Sequence, residues 1–219
     1  MSRLWFTLLV IALAIGFSAI DKPASASFIA YESTRNTGNQ EWSGALGMDF
    51  DVIAPIRILE LGAYSRPDQT SDGGTIFPIL VGIFDRTSRL LVATSASITD
   101  DDSLDGFNRY EDIADFVLGA GSYSIVAQGY GYGNRNGNTG FGGTGPTMDT
   151  GGGLISFVGN ARYSYTPSFD FPEIIDGGPV NRYDAGTFKF EAVPEPSTLL
   201  LLGSGLLGLV GYGRKRMKK

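Results

Sequence analysis

The sequence predicts an all-β protein whose body is an antiparallel β-sandwich or jelly roll. Three observations carry this. Apolar residues come in short runs, either alternating or continuous, and the runs are broken by Gly, Asp, Ser and Pro. No stretch between the two chain ends spaces its apolar residues as an amphipathic helix requires. Many short strands separated by turns are the pattern of two packed antiparallel sheets.

Taken in chain order, Met48, Phe50 and Val52 alternate with Asp49 and Asp51, and Ile56 and Ile58 flank Arg57. Tyr123, Ile125 and Ala127 repeat the pattern, and Phe188, Phe190 and Ala192 close the body the same way. Each run predicts a half-buried strand with one wet face. Phe77 to Phe84 and Leu90 to Thr94 are continuous apolar runs, which predict central strands, with Asp85 to Arg89 as the hairpin loop between them. Residues 113–118 fit either a strand or a single helical turn. Residues 129–153 are dominated by Gly, Asn and Thr, with Tyr130, Tyr132 and Phe141 between them, and predict a long mobile surface loop that buries little apolar area. Gly140 to Gly145 satisfies G-x-G-x-x-G, but Pro146 follows and no helix opens there, which excludes a dinucleotide loop.

Both chain ends carry addresses. Arg3 precedes an apolar run from Leu4 to Ile15 that weakens towards Ile20, and Ala24-Ser-Ala26 stands before Ser27. This is the layout of a secretory signal peptide over residues 1–26, cleaved before Ser27. At the other end, Pro194 and Pro196 fix two φ angles and hold Glu195 extended between them. Thr198 to Tyr212 carries no charge, and five cations follow, beginning with Arg214, Lys215 and Arg216. As a helix, 15 residues span about 22 Å, short of the hydrocarbon core of about 30 Å. A marginal span of this kind suits a processing signal better than a permanent anchor, and the basic tail of residues 214–219 would stay cytoplasmic.

The order of Val193-Pro194-Glu195-Pro196, short apolar segment and basic tail closely resembles the PEP-CTERM sorting signal of Gram-negative bacteria. The resemblance implies recognition of the motif by an exosortase, a membrane protease-transpeptidase. It also implies inner-membrane anchoring through the 198–212 transmembrane helix, processing near the motif, and delivery to the cell surface or extracellular matrix. The organisation is then a signal peptide (1–26), a β-sandwich domain (27–192) and a sorting signal (193–219). Residues 50–130 loosely resemble a sandwich domain of unknown function found in many such proteins. That likeness rests on Leu61-Gly62-Ala-Tyr64, Val81 to Asp85, Leu90 to Ala93 and Leu118 to Ile125, and it implies no catalytic motif.

Composition narrows the chemistry of the body. Residues 27–193 hold 10 basic and 21 acidic side chains, a net charge of −11. Such a surface repels nucleic acid and anionic membrane and favours divalent cations. The chain has no Cys and no His. Disulfides are excluded, as are the usual general base, the usual Zn²⁺ ligand and every Ser-His or Cys-His nucleophile. The expectation is a protein that is not an enzyme and holds no cofactor.

One candidate metal site remains. Asp101-x-Ser103-x-Asp105-Gly106, with Asp112 at the twelfth position, has the oxygen spacing of a Ca²⁺ loop. Asn108 at position eight and Asp in place of Glu at position twelve separate it from an EF-hand, and the other reading is a solvated acidic turn. Asp49 with Asp51, and Glu111 with Asp115, have the residue types of glycosidase pairs, but alternating Asp on a strand reads as its wet face. Trp42, Tyr130, Tyr132 and Phe141 are candidates for a sugar-stacking surface. The functional expectation is a structural or adhesive role in biofilm or exopolysaccharide, with a carbohydrate-binding module of the same fold as the alternative.

Overall fold

The alternating runs form strands in a computed structural model that describes residues 26–35, 37–65, 78–92, 96–194 and 202–207. The strands are β1 (Phe28–Ile29), β2 (Tyr31–Glu32), β3 (Leu46–Val52), β4 (Ile56–Tyr64), β5 (Ile79–Asp85), β6 (Ala96–Ile98), β7 (Ser103–Asp105) and β8 (Asn108–Leu118). They continue as β9 (Gly121–Gln128), β10 (Gly137–Asn138), β11 (Thr147–Met148), β12 (Ile155–Tyr163), β13 (Ile174–Ile175), β14 (Tyr183–Asp184) and β15 (Gly186–Ala192). The residues that fit either a strand or a helical turn, 113–118, belong to β8.

Two antiparallel sheets carry the body. One has five strands in the order β1-β15-β4-β8-β7, the other six in the order β13-β12-β3-β9-β5-β6. The chain crosses between them at two short arches, Ile53–Pro55 from β3 to β4 and Gly119–Ala120 from β8 to β9. Because β3 pairs with β9 in one sheet and β4 with β8 in the other, these segments form one antiparallel ribbon folded over a core, the wrapping of a jelly roll. Phe50 from one sheet meets Phe188 from the other with ring centroids 4.8 Å apart, and Met48, Ile58, Leu61, Ile83, Ile125 and Phe190 fill in around them. Each such side chain contributes about 1.5–3 kcal/mol by leaving water, which holds the two sheets together without a disulfide.

The wet faces expected of β3 and β9 are not wet. Asp49, Ser124 and Val126 are wholly buried on the outer side of the six-stranded sheet. Residues 164–173 fold back across this side, where Phe169 and Phe171 pack with Phe84, Val126 and Ala45 as a second small core. The guanidinium of Arg162 stands over the Phe171 ring at 5.1 Å and clamps Asp49 with its Nε at 2.8 and 2.9 Å from the two carboxylate oxygens. Arg86 lies 3.6 Å from Asp49 and also pairs with Asp51. Asp49 and Asp51 are therefore structural counter-ions rather than a solvated pair.

Leu90 to Val92 do not form a central strand, and Ala93 and Thr94 of that predicted run lie outside the described residues. Leu90, Leu91 and Val92 are exposed, and Leu91 touches β5 through a single bridge to Phe84. The Asp85–Arg89 turn forms as expected, with Asp85 Oδ1 accepting from the Thr87 and Ser88 N–H groups and Arg89 at φ 61°. Beyond that turn, the strand that pairs with the free edge of β5, opposite β9, forms only at β6.

Of the terminal signals, the structure describes Ala26, Ser27, Val193, Pro194 and a helical piece at 202–207. No helix among the described residues is long and apolar enough to cross a membrane. Ala24, Glu195, Pro196, Arg214, Lys215, Arg216, the rest of the 198–212 span and Phe77 lie outside the described residues.

Candidate functional site

The Gly- and Asn-rich segment that reads as a loop is tied into the body by its own polar side chains. Tyr130 is buried, and its hydroxyl donates between the carbonyls of Ala185 (3.0 Å) and Tyr64 (3.2 Å). Asn134, Asn136 and Asn138 follow with a period of two and are also buried. The Asn136 and Asn138 amides donate to Gln40 Oε1 at 2.9 and 2.8 Å, and Asn39 exchanges hydrogen bonds with the Asn138 backbone. A buried polar side chain is stabilised by pairing, and these bonds pair the amide N–H groups of Asn136 and Asn138. The first half of residues 129–153 is therefore packed into the body by polar groups instead of lying on the surface, although Tyr130 is the one aromatic ring it buries. Beneath them Arg35 Nε meets Asp184 Oδ2 at 2.9 Å, and burial pushes the Asp184 carboxyl up to about 6 against the pull of Arg35.

Asn138 opens a single 3-10 turn over Thr139–Phe141 by accepting the Gly140 N–H at 2.7 Å. The same Asn138 oxygen accepts from Arg182 Nε at 2.9 Å. Gly140 and Gly178 make room for that guanidinium, since a Cβ would fall 2.0 Å from Nη2 at the first and 2.1 Å from Nη1 at the second. Arg182 also pairs with Asp176 and lies over the Tyr183 ring at 5.5 Å. Burial pushes the Asp176 carboxyl up, but hydrogen bonds from the Tyr183 hydroxyl, the Gly178 N–H and Arg182 outweigh it, so the group stays below its ordinary value and ionised. Burial and the bond to Asp176 together push the Tyr183 hydroxyl up, which keeps it a donor.

On the facing wall, Trp42 is held by its indole N–H to the Ser164 carbonyl at 3.0 Å. Trp42 meets Tyr163 and Tyr165 at ring separations of 5.5 Å, and these two tyrosines meet each other edge-on at 5.4 Å. The result is a cleft of about 250 Å³ lined by Gln40, Trp42, Phe141, Tyr163, Tyr165, Asp176, Arg182 and Tyr183. A second cleft of about 450 Å³ adjoins it, sharing Gln40, Trp42 and Phe141 and adding Asn39, Glu41 and Arg135. Five aromatic side chains, two carboxylates and two amides thus converge on one surface.

Strand register fixes where this surface lies. Tyr163 stands opposite Leu46 at the start of β3, and Tyr183 leads into the start of β15. Val193, one residue beyond β15, bonds through its N–H to the Pro55 carbonyl at the opposite end of the sandwich. The aromatic clefts and the start of the C-terminal motif therefore occupy opposite poles, separated by the length of a seven-residue strand, roughly 20 Å.

Of the four aromatic residues proposed from sequence, Trp42 and Phe141 line the clefts, Tyr130 is an internal anchor, and Tyr132 stands exposed outside their linings. Tyr163, Tyr165, Asp176, Arg182 and Tyr183 were not expected, although Tyr163-Ser-Tyr165 carries a readable alternation at the end of a strand. The Ca²⁺ candidates are not brought together. Ser103 and Asp105 lie in β7, which forms a hairpin with β8, and Ser103 Oγ donates to the Tyr110 carbonyl. Asp105 faces Lys189 at 3.5 Å, Asp112 stands opposite Glu60 on β4, and Asp101 is in the turn before β7. Pairing the loop as a hairpin spreads its oxygens apart, and among the described residues no group of three or more acidic side chains converges to hold a metal ion.

The family model for the PEP-CTERM protein-sorting motif matches residues 192–216. The chain thus carries a PEP-CTERM sorting signal, which begins at the last residue of β15 and implies an exported protein processed by an exosortase. Neither the curated proteins nor the solved structures compared with the chain give a match.

Proposed function

We propose that this is a non-enzymatic protein of the cell surface or extracellular matrix, anchored in the inner membrane until processing, whose body adheres to polysaccharide through the aromatic clefts. The observation that carries the reading is the convergence of Trp42, Phe141, Tyr163 and Tyr165 with Asp176, Gln40 and Asn39. A pyranose presents an apolar C–H face and a rim of hydroxyls. Aromatic rings match the face, while ionised carboxylates and amides match the rim.

The placement of the clefts at the pole opposite Val193 supports adhesion, because a body held through its C-terminal side would present them outward. The structural and adhesive role in biofilm and the carbohydrate-binding role then become one activity. Catalysis is not part of the reading, since Asp176 is locked ionised by Arg182 and Tyr183 and offers no acid. The test is co-sedimentation with exopolysaccharide from the producing cells. Wild-type protein should sediment with it, and Trp42→Ala and Phe141→Ala should remain in solution. Equal sedimentation of all three, or of none, would remove the reading.

A further inference from the structure

We infer that the ligand of the two adjoining clefts is an extended glycan of neutral sugars, not a uronate-bearing or sulfated one; this rests on the glycan-binding reading above. The inference comes from how the cleft charges are used. Each arginine in the clefts is matched to a carboxylate, Arg182 to Asp176 and Arg135 to Glu41. Arg182 is further committed, with Nε donating to Asn138 and its guanidinium stacked on Tyr183. An anionic sugar would meet each of these cations already neutralised by a carboxylate.

It would also approach a body of net charge −11, which repels polyanions at long range. A neutral sugar breaks nothing. Its hydroxyls donate to Asp176 and Glu41, and the side-chain amides of Gln40 and Asn39 take further hydroxyls. The rings of Trp42, Phe141 and Tyr165 take the apolar faces; the last two are 65% and 70% exposed and so open to a ligand. The shared wall of Gln40, Trp42 and Phe141 makes the two clefts one track, which suits successive sugars of a chain rather than a single one.

The experiment is titration calorimetry of the full-length protein, in a detergent that carries no sugar, against neutral laminarin and glucomannan and acidic alginate and polygalacturonate. A neutral polymer should bind and both acidic ones should not. Phe141→Ala and Tyr165→Ala, both at exposed positions, should each weaken neutral binding about tenfold, the equivalent of one lost contact of about 1.4 kcal/mol. Glu41→Gln leaves Arg135 without its carboxylate and should raise affinity for polygalacturonate about tenfold. Binding of acidic polymers alone would overturn the neutral assignment and leave glycan binding standing. Binding of none of the four, with exopolysaccharide from the producing cells also failing to bind, would overturn both. Neutral binding that ignores Phe141→Ala and Tyr165→Ala would overturn the assignment to these clefts.

Discussion

A carboxylate with no exposed surface must be matched by cations, and Asp49 is matched twice. Arg162, stacked on Phe171, holds both of its oxygens, and Arg86 lies 3.6 Å from one of them. Removing one partner of a buried pair leaves the other uncompensated, which costs about 3–5 kcal/mol. Asp49→Ala should therefore lower the melting temperature sharply, while the exposed Asp112→Asn should leave it nearly unchanged; thermal melts of the two variants check this. Asp184 makes a pH-dependent contribution. Its folded pKa, about 6, lies above the ordinary 3.8, so the folded state holds the proton more tightly than the unfolded chain. The ionised form above pH 6 is the destabilised one, and this penalty is relieved as pH falls from about 6 towards 4. Between pH 7 and pH 5 the group should add about 1 kcal/mol of stability. In Asp184→Asn that increment should vanish against a lower baseline, because Arg35 loses its partner; urea unfolding of both proteins at the two pH values measures the difference.

At the scale of elements, Tyr130 is the pin of the Gly-rich segment. It ties the exit of β9 to the point where β4 ends and β15 is about to begin. Tyr130→Phe keeps the ring and loses the hydroxyl's bonds to the Tyr64 and Ala185 carbonyls, so unfolding free energy should fall by about 0.5–1.5 kcal/mol. Limited proteolysis should then cut residues 131–145 faster than in wild type. The hairpin of β7 and β8 predicts the opposite kind of result. With Asp101, Ser103, Asp105 and Asp112 dispersed along it, millimolar Ca²⁺ and chelator should give superimposable melting curves. The strands themselves were legible from alternation, since a period of two at Met48–Val52 or Phe188–Ala192 has one physical meaning. What covers a strand is not local information. The Arg162 clamp on Asp49 comes from more than a hundred positions away, so the inner Asp read as a wet one. The Asn134, Asn136, Asn138 ladder was hidden for a related reason: composition marks Asn and Gly as loop formers, while their order here buries all three and pairs the Asn136 and Asn138 amides with Gln40. Trp42 and Phe141 were readable as exposed aromatics, but nothing in sequence places them beside Tyr163, Tyr165 and Asp176.

For the whole molecule, the sandwich has direction. The aromatic clefts open at one pole, and the chain leaves β15 at the other, where Val193 is still bonded to Pro55 when the sorting motif begins. A body built this way can be handed to a processing enzyme by one end while the other stays free to bind. The sorting signal is what joins fold to destination, so the most direct measurement is the intact mass of the protein recovered from its native host, compared with a Glu195→Ala variant. Expected is a wild-type species lacking residues 1–26 and the tail beyond the motif, with the variant retaining its tail. A wild-type protein that keeps residues 197–219 would contradict exosortase processing and reduce that segment to an ordinary anchor.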